Sequence, residues 1–151
     1  MRALIQRVNY SKVIINKKVK SEIERGLLIL LGVENEDTEE DAVWLSNKVA
    51  GLRIFDDSEG VMNLSVKDIG GDVMVISQFT LHANTKKGTR PSYIRAAKPD
   101  ISVPLYEQFV LKIGNDLGKE IATGEFGAYM KIDMENDGPV TIMIDSKNKN
   151  L

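Results

Sequence analysis

The sequence predicts an α+β fold: a largely antiparallel sheet, barrel-like in its curl, with two main helices. Three observations carry this. Short β-branched and apolar runs outnumber helical stretches, only two stretches space apolar residues by three or four, and no linker, repeat or low-complexity segment divides the chain. With 151 residues, 42% hydrophobic and 28% charged, the composition fits one globular unit. That unit is predicted over residues 1–145, with a frayed polar tail over 146–151.

Two short strands are expected at the start, Ala3 to Val8 and Lys12 to Ile15, broken by Asn9-Tyr10-Ser11. The uninterrupted apolar run Gly26 to Val33 reads as a strand buried on both faces. Thr38 can cap a helix running to about Leu52, with Ala42, Leu45, Val49 and Leu52 on one face. Glu36, Asp37, Glu39, Glu40 and Asp41 surround its positive end, so they read as helix stabilisers and not as a metal site. Asp56 to Gly60 is a turn, and Gly70-Gly71 precedes a strand from Val73 to Ile76. A second helix is predicted from Val103 to about Leu117, with Pro104 in its first turn and Gly118 at its end. Two strands, Ala128 to Met134 and Val140 to Ile144, are expected around a turn at Glu135 to Pro139.

The chain has no cysteine and a single histidine, His82, which excludes zinc fingers, iron–sulfur clusters, thiol redox motifs and a cysteine nucleophile. Its net charge of -2 gives no global attraction to polyanions, so nucleic-acid contact requires a local basic surface. No apolar run is long enough for a membrane span or a signal peptide, and a cytoplasmic protein is expected.

Three segments stand out. Ser77-Gln78-Phe79-Thr80-Leu81 lies where a buried strand meets a loop, presenting hydroxyls, an amide and backbone N–H groups together. Such donors suit an oxyanion, although composition alone also describes a polar strand end, and no catalytic-triad order accompanies them. Asn84 to Lys98 carries Lys86, Lys87, Arg90, Arg95 and Lys98, with no acid between Val73 and Pro99. This is a local positive surface beside Tyr93, read either as a polyanion contact or as solvated loop charge, and it lacks nucleotide P-loop spacing. Asn136-Asp137-Gly138-Pro139-Val140-Thr141 reads as a turn, or as a backbone device whose carbonyls accept from an ammonium group. His82 is expected at the surface or in a structural hydrogen bond, outside the mechanism.

In order along the chain, Ile5-Gln6-Arg7-Val8, Leu52-Arg53-Ile54-Phe55, Met62-Asn63, Ser77 to Leu81, Lys87-Gly88-x-Arg90-Pro91-Ser92, Thr123-Gly124-x-Phe126-Gly127-Ala128 and Asn136 to Thr141 resemble the D-aminoacyl-tRNA deacylase family. The resemblance implies a homodimer that hydrolyses the ester of D-aminoacyl-tRNA, and of achiral glycyl-tRNA, at the acceptor end. It implies no cofactor and no metal. It also implies a cis Gly138-Pro139 pair inserted into the partner's pocket, facing Ser77, Gln78, Phe79 and Thr80, with Val140 and Thr141 beside it and Arg7 orienting it. A D-residue held by its α-amino group then points its side chain outward, whereas an L-residue meets the pocket wall. Lys86, Lys87 and Arg90 would meet acceptor-stem phosphates.

Two roles for Thr80 follow from the resemblance: a nucleophile, or a pocket-shaping hydroxyl. The second is preferred because no base adjoins Thr80, leaving backbone N–H groups around Gln78 and Phe79 for the oxyanion and the ribose 2′-hydroxyl to activate water. Asn84, Tyr93 and Ser102 depart from the residues common in the family. The alternatives are a non-catalytic tRNA-binding module and a small-molecule hydrolase using Thr80.

Overall fold

A computed structural model describes residues 1–150 of the chain. The strands are β1 (Arg2–Ile15), β2 (Lys18–Ile23), β3 (Gly26–Gly32), β4 (Arg53–Asp56), β5 (Met62–Ser65), β6 (Asp72–Ser77), β7 (Ala122–Thr123) and β8 (Lys131–Asp145). The helices are α1 (Glu39–Ala50) and α2 (Pro99–Leu117), and a 3₁₀ turn covers Phe79–His82. The predicted α+β class holds. β1 pairs antiparallel with β2, β3 and β8, while β3–β6 and β6–β7 are parallel, so the main sheet is mixed. It curls back on itself where the Ser21 hydroxyl donates to the Thr123 carbonyl at 2.7 Å.

Apolar residues divide between two cores. Val8, Val13, Ile23, Leu28, Met74 and Ile76 fill the curl of the sheet. Ala3, Ile5, Leu27, Ile29 and Val75 pack on the other side against Leu45 and Val49 of α1 and Phe109 and Ile113 of α2. β3 contributes to both, which explains its unbroken apolar sequence. Among the described residues no helix is long and apolar enough to cross a membrane.

Four expectations require correction. β1 is one strand, because Ser11 is buried and points its hydroxyl at the Met74 sulfur, 3.5 Å away, so the polar interruption continues the ladder. β8 is also one strand, since the segments on either side of Gly138-Pro139 pair with the same β1. α2 starts four residues early, at Pro99. Proline is tolerated there because the first helical N–H lacks a partner in any case, and Pro104 therefore lies inside the helix. The tail is anchored at its root: the Ser146 amide donates to the Met1 carbonyl at 2.9 Å, and Lys147 Nζ pairs with Asp41 at 2.8 Å.

α1 begins after Thr38, whose amide donates to the Asp41 carboxylate at 2.9 Å. Burial opposes ionisation of Asp41. Hydrogen bonds from Lys147, Ser146 and Thr38 outweigh it and hold the carboxyl far below the usual carboxylate range. Asp37 accepts from the Met1 ammonium and from the Glu34 amide at 2.8 Å. These acids thus anchor both chain ends as well as starting the helix.

Candidate active site

Position 7 of β1 faces an interruption in β8. Gln6 pairs with Thr141 and Val8 with Asn136, so Asp137, Gly138, Pro139 and Val140 loop out opposite Arg7 alone. Arg7 is 6% exposed and ties this excursion to β4. Its Nη1 donates to the Ile54 carbonyl at 2.7 Å, and its Nε to the Asp137 carbonyl at 3.2 Å and carboxylate at 3.0 Å. Asp56 lies 3.5 Å from Nη1. The Asn136 side-chain amide closes the neck by donating to the carbonyls of Arg7 and Val140, both at 3.1 Å.

Gly138 has φ 124°, a conformation that disfavours any side chain, and Arg7 Nη2 sits 3.2 Å from where a Cβ would lie. The Gly138-Pro139 bond is cis. Both residues are exposed, Val140 is half-buried against the helix-side core, and Thr141 lies on the surface with its hydroxyl 3.5 Å from Gln6 Nε2.

The second arrangement forms where β6 ends. Parallel pairing with β3 carries the strand to Ser77, and the Gln78 amide donates to the Leu31 carbonyl at 2.8 Å. The chain then turns into the 3₁₀ segment. The first amides of such a turn point out of it without internal acceptors, and those of Phe79 and Thr80 have no acceptor among the described residues. Gln78 Nε2 donates to the Thr80 hydroxyl at 2.5 Å, fixing one lone pair of that oxygen.

Ser77, Gln78 and Phe79 line a cleft of about 560 Å³. Thr80 does not line the cleft and touches its rim through its hydroxyl, which accepts from Gln78. Two edge-on aromatic pairs wall the cleft: Phe79 with Tyr93, centroids 5.1 Å apart, and Tyr106 with Phe126, 6.1 Å apart. Tyr129 and Met130 complete the side nearest β8. Among the described residues no Asp, Glu, Lys, Arg or His contributes to the lining. Tyr106 donates its hydroxyl to the Val75 carbonyl at 2.7 Å, and burial pushes the phenol up to about 12, so it remains a protonated donor. Ser102 is buried at the cleft and donates to the Lys98 carbonyl at 3.0 Å.

Lys86, Lys87 and Arg90 are exposed on a loop closed by the Asn84–Ser92 bridge, next to Tyr93, and none has an acidic partner among the described residues. Arg95, from the same basic segment, instead pairs with buried Glu34 at 2.5 Å. His82 is 2% exposed, and neither ring nitrogen has a hydrogen-bond partner among the described residues, contrary to both placements expected for it. The 3₁₀ turn directs it inward against Gly32, where burial holds its pKa below the ordinary imidazole value.

The sequence-derived residues therefore form two separate groups. Arg7, Gly138, Pro139 and Val140 meet at the β8 excursion; Ser77, Gln78 and Phe79 meet at the cleft, with Thr80 joined to Gln78. Gly138 and Pro139 do not line their own chain's cleft. Sequence reasoning missed Asn136 as the neck clamp, the Ile54 carbonyl, and the wall residues Tyr106 and Tyr129. The Thr123 to Ala128 motif held the available signal for that wall.

Known proteins resemble this chain over nearly its whole length. The D-Tyr-tRNA(Tyr) deacylase family matches residues 4–145. The D-aminoacyl-tRNA deacylase of Parabacteroides distasonis is 58% identical over 149 residues, covering 99% of each chain. That of Bacteroides fragilis is 59% identical with the same coverage. The solved structure of the "c-Myc DNA Unwinding Element Binding Protein" superposes with a TM-score of 0.90 at 34% identity, covering 96% of this chain and 98% of that one. A probable eukaryotic D-amino acid tRNA deacylase superposes with a TM-score of 0.82, covering 95% and 97%; at 17% identity this likeness bears on the fold. By the family match and these identities over nearly the whole length, the chain belongs to the D-Tyr-tRNA(Tyr) deacylase family.

Proposed function

We propose that this protein hydrolyses the ester joining a D-amino acid, or glycine, to the terminal adenosine of tRNA, and that it works as a homodimer in the cytoplasm through its 1–145 domain. The observation that carries the reading is the pairing of an uncharged cleft that ends on two unengaged amides with an exposed carbonyl-bearing excursion outside that cleft. In a two-fold dimer, each excursion enters the other subunit's cleft. Gly138 and Pro139 then hold the substrate α-ammonium through their carbonyls, with Val140 and Thr141 beside them. A D side chain leaves toward solvent, and an L side chain meets the wall.

Chemistry follows from the lining. With no charged base in the cleft, water is activated by the vicinal ribose 2′-hydroxyl. The water oxygen bonds to the ester carbonyl carbon while its proton passes to the 2′-hydroxyl, the oxyanion accepts from the Phe79 and Thr80 amides, and the carbon–O3′ bond breaks as the 2′-hydroxyl hands its own proton to O3′. Ser77 and Gln78 shape the rim. Because the Gln78 amide is already donated to Leu31, the oxyanion donors shift one residue along from those first expected. The Thr80 hydroxyl, held by Gln78, is a support and not a nucleophile. Lys86, Lys87 and Arg90 contact acceptor-stem phosphates, so added salt weakens binding.

The deciding experiment incubates the purified protein with D- and L-tyrosyl-tRNA and follows free amino acid against spontaneous hydrolysis. Selective loss of the D-ester is expected. Binding without turnover would replace the proposal with a tRNA-binding module.

A further inference from the structure

Between Met1 and Ser21 the chain carries Arg2, Arg7, Lys12, Lys17, Lys18 and Lys20 and no acid. Arg2 pairs with Asp145, Arg7 with Asp137, and Lys12 lies 3.9 Å from Glu22. Lys17, Lys18 and Lys20 are exposed at the β1–β2 hairpin tip, with no ion pair among the described residues. Ile15 pairs with Lys18, so Asn16 and Lys17 form a two-residue turn, with φ of 50° and 63°. Turns of this hand favour glycine at the second central position, because a side chain at positive φ costs on the order of 1 kcal/mol. A lysine stands where glycine would fold more cheaply, so the site retains a cation against local conformational preference.

The tip is tied to the cleft in two ways. Ile14 pairs with Val19 of the hairpin and with Lys131 of β8, and Lys131 lies between the cleft-lining Met130 and Ile132. Two strand spacings put the Val19 row about 10 Å from that wall. Ser21 also holds the Thr123 carbonyl, and the chain leaving Thr123 builds the Phe126 wall. The cleft is thus flanked by Lys86, Lys87 and Arg90 beyond Phe79 and Tyr93, and by Lys17, Lys18, Lys20 and Lys131 beyond Phe126 and Tyr129.

We infer that the hairpin tip is a second phosphate-contact surface for the RNA strand whose 3′ end occupies the cleft. This inference rests on the deacylase reading above. Ammonium groups on flexible stems neutralise phosphates without reading bases. Val19, 55% exposed, stands alone among these lysines, so the tip lacks the apolar face needed to enter a bilayer.

The test uses Lys17→Gly and the triple variant Lys17→Gly/Lys18→Ser/Lys20→Ser. Fluorescently labelled deacylated tRNA is titrated by anisotropy across a salt series. Lys17→Gly is expected to preserve or raise the thermal midpoint while weakening tRNA binding, a split that a purely structural role does not give. The triple variant is expected to raise Kd about tenfold and to flatten the slope of log affinity against log salt by about 2. KM for D-tyrosyl-tRNA rises while kcat is retained, and turnover of D-tyrosyl-adenosine, which lacks the stem, is unchanged. Equal affinity and slope in the triple and unaltered proteins overturn the inference. So does lysine-dependent binding to phosphatidylserine vesicles in place of tRNA. Failure of the unaltered protein to hydrolyse either D-ester sinks the deacylase reading instead, and the anisotropy arm judges the hairpin independently.

Discussion

The β8 excursion and the cleft at the end of β6 are built by opposite means. The excursion is exposed main chain fixed from beneath by Arg7 and Asn136, a polar framework holding a polar surface. The cleft has aromatic and aliphatic walls, and its polar features are mainly groups at a strand end. Under the proposed function the contrast lets stereochemical selection and bond cleavage fail separately: damage to the framework should erode discrimination, and damage to the strand end should erode rate.

The largest effect is expected from Phe79→Pro, which removes one of the two amides proposed to hold the oxyanion. Gln78, with φ -143° and ψ 82°, lies outside the helical region that a following proline disfavours. Single-turnover deacylation should slow by about 10² to 10³, while Phe79→Ala, which keeps the amide, should lose far less. Equal losses in the two would assign the effect to the aromatic wall.

Next is Arg7→Ala, which leaves the Ile54 carbonyl and the Asp137 carboxylate without their partner. Urea denaturation should show a loss of about 3 kcal/mol, and the ratio of D- to L-ester hydrolysis should fall. Mixing this variant with Phe79→Pro should raise the D- to L-ester ratio above that of Arg7→Ala alone, through hybrid dimers that retain one intact framework facing one intact strand end. Absence of recovery would place both groups on one subunit.

A smaller effect concerns His82. Burial depresses its folded pKa, so below the ordinary imidazole value the unfolded chain takes up a proton that the folded chain refuses. Stability therefore falls as pH drops through that window, by at most about 1.4 kcal/mol per pH unit. The Gly32 backbone and then Glu34 partly oppose the shift, while Arg2 and the chain's amino terminus reinforce it. Urea midpoints should decline from neutral pH toward pH 5, and His82→Phe should flatten that decline. Smallest of all, Thr80→Ala should cost less than about tenfold in kcat; complete loss with intact folding would restore the nucleophile role.

Much of this architecture was legible in the sequence. The β3 run, the α1 face Ala42, Leu45, Val49 and the Gly118 stop follow from periodicity and backbone preference, as does the basic Lys86 to Arg90 loop. Local reading failed where a distant strand overrode it. Asn9-Tyr10-Ser11 and Asn136 to Pro139 both have turn chemistry, yet β1 and β8 go on pairing beyond them, with a shift of register. The cleft walls come from segments far apart in the chain, so neither Tyr106 nor Tyr129 carried a local signal. His82 eluded the reading because only the 3₁₀ turn directs it inward.

Both feet of the β8 excursion stand on a single neighbouring strand. The device consequently has no hinge: to move it, the β1–β8 ladder must part on one side or the other. Little ordering entropy is then lost when a ligand arrives, and amides around the neck should exchange with solvent as slowly as those of the sheet itself.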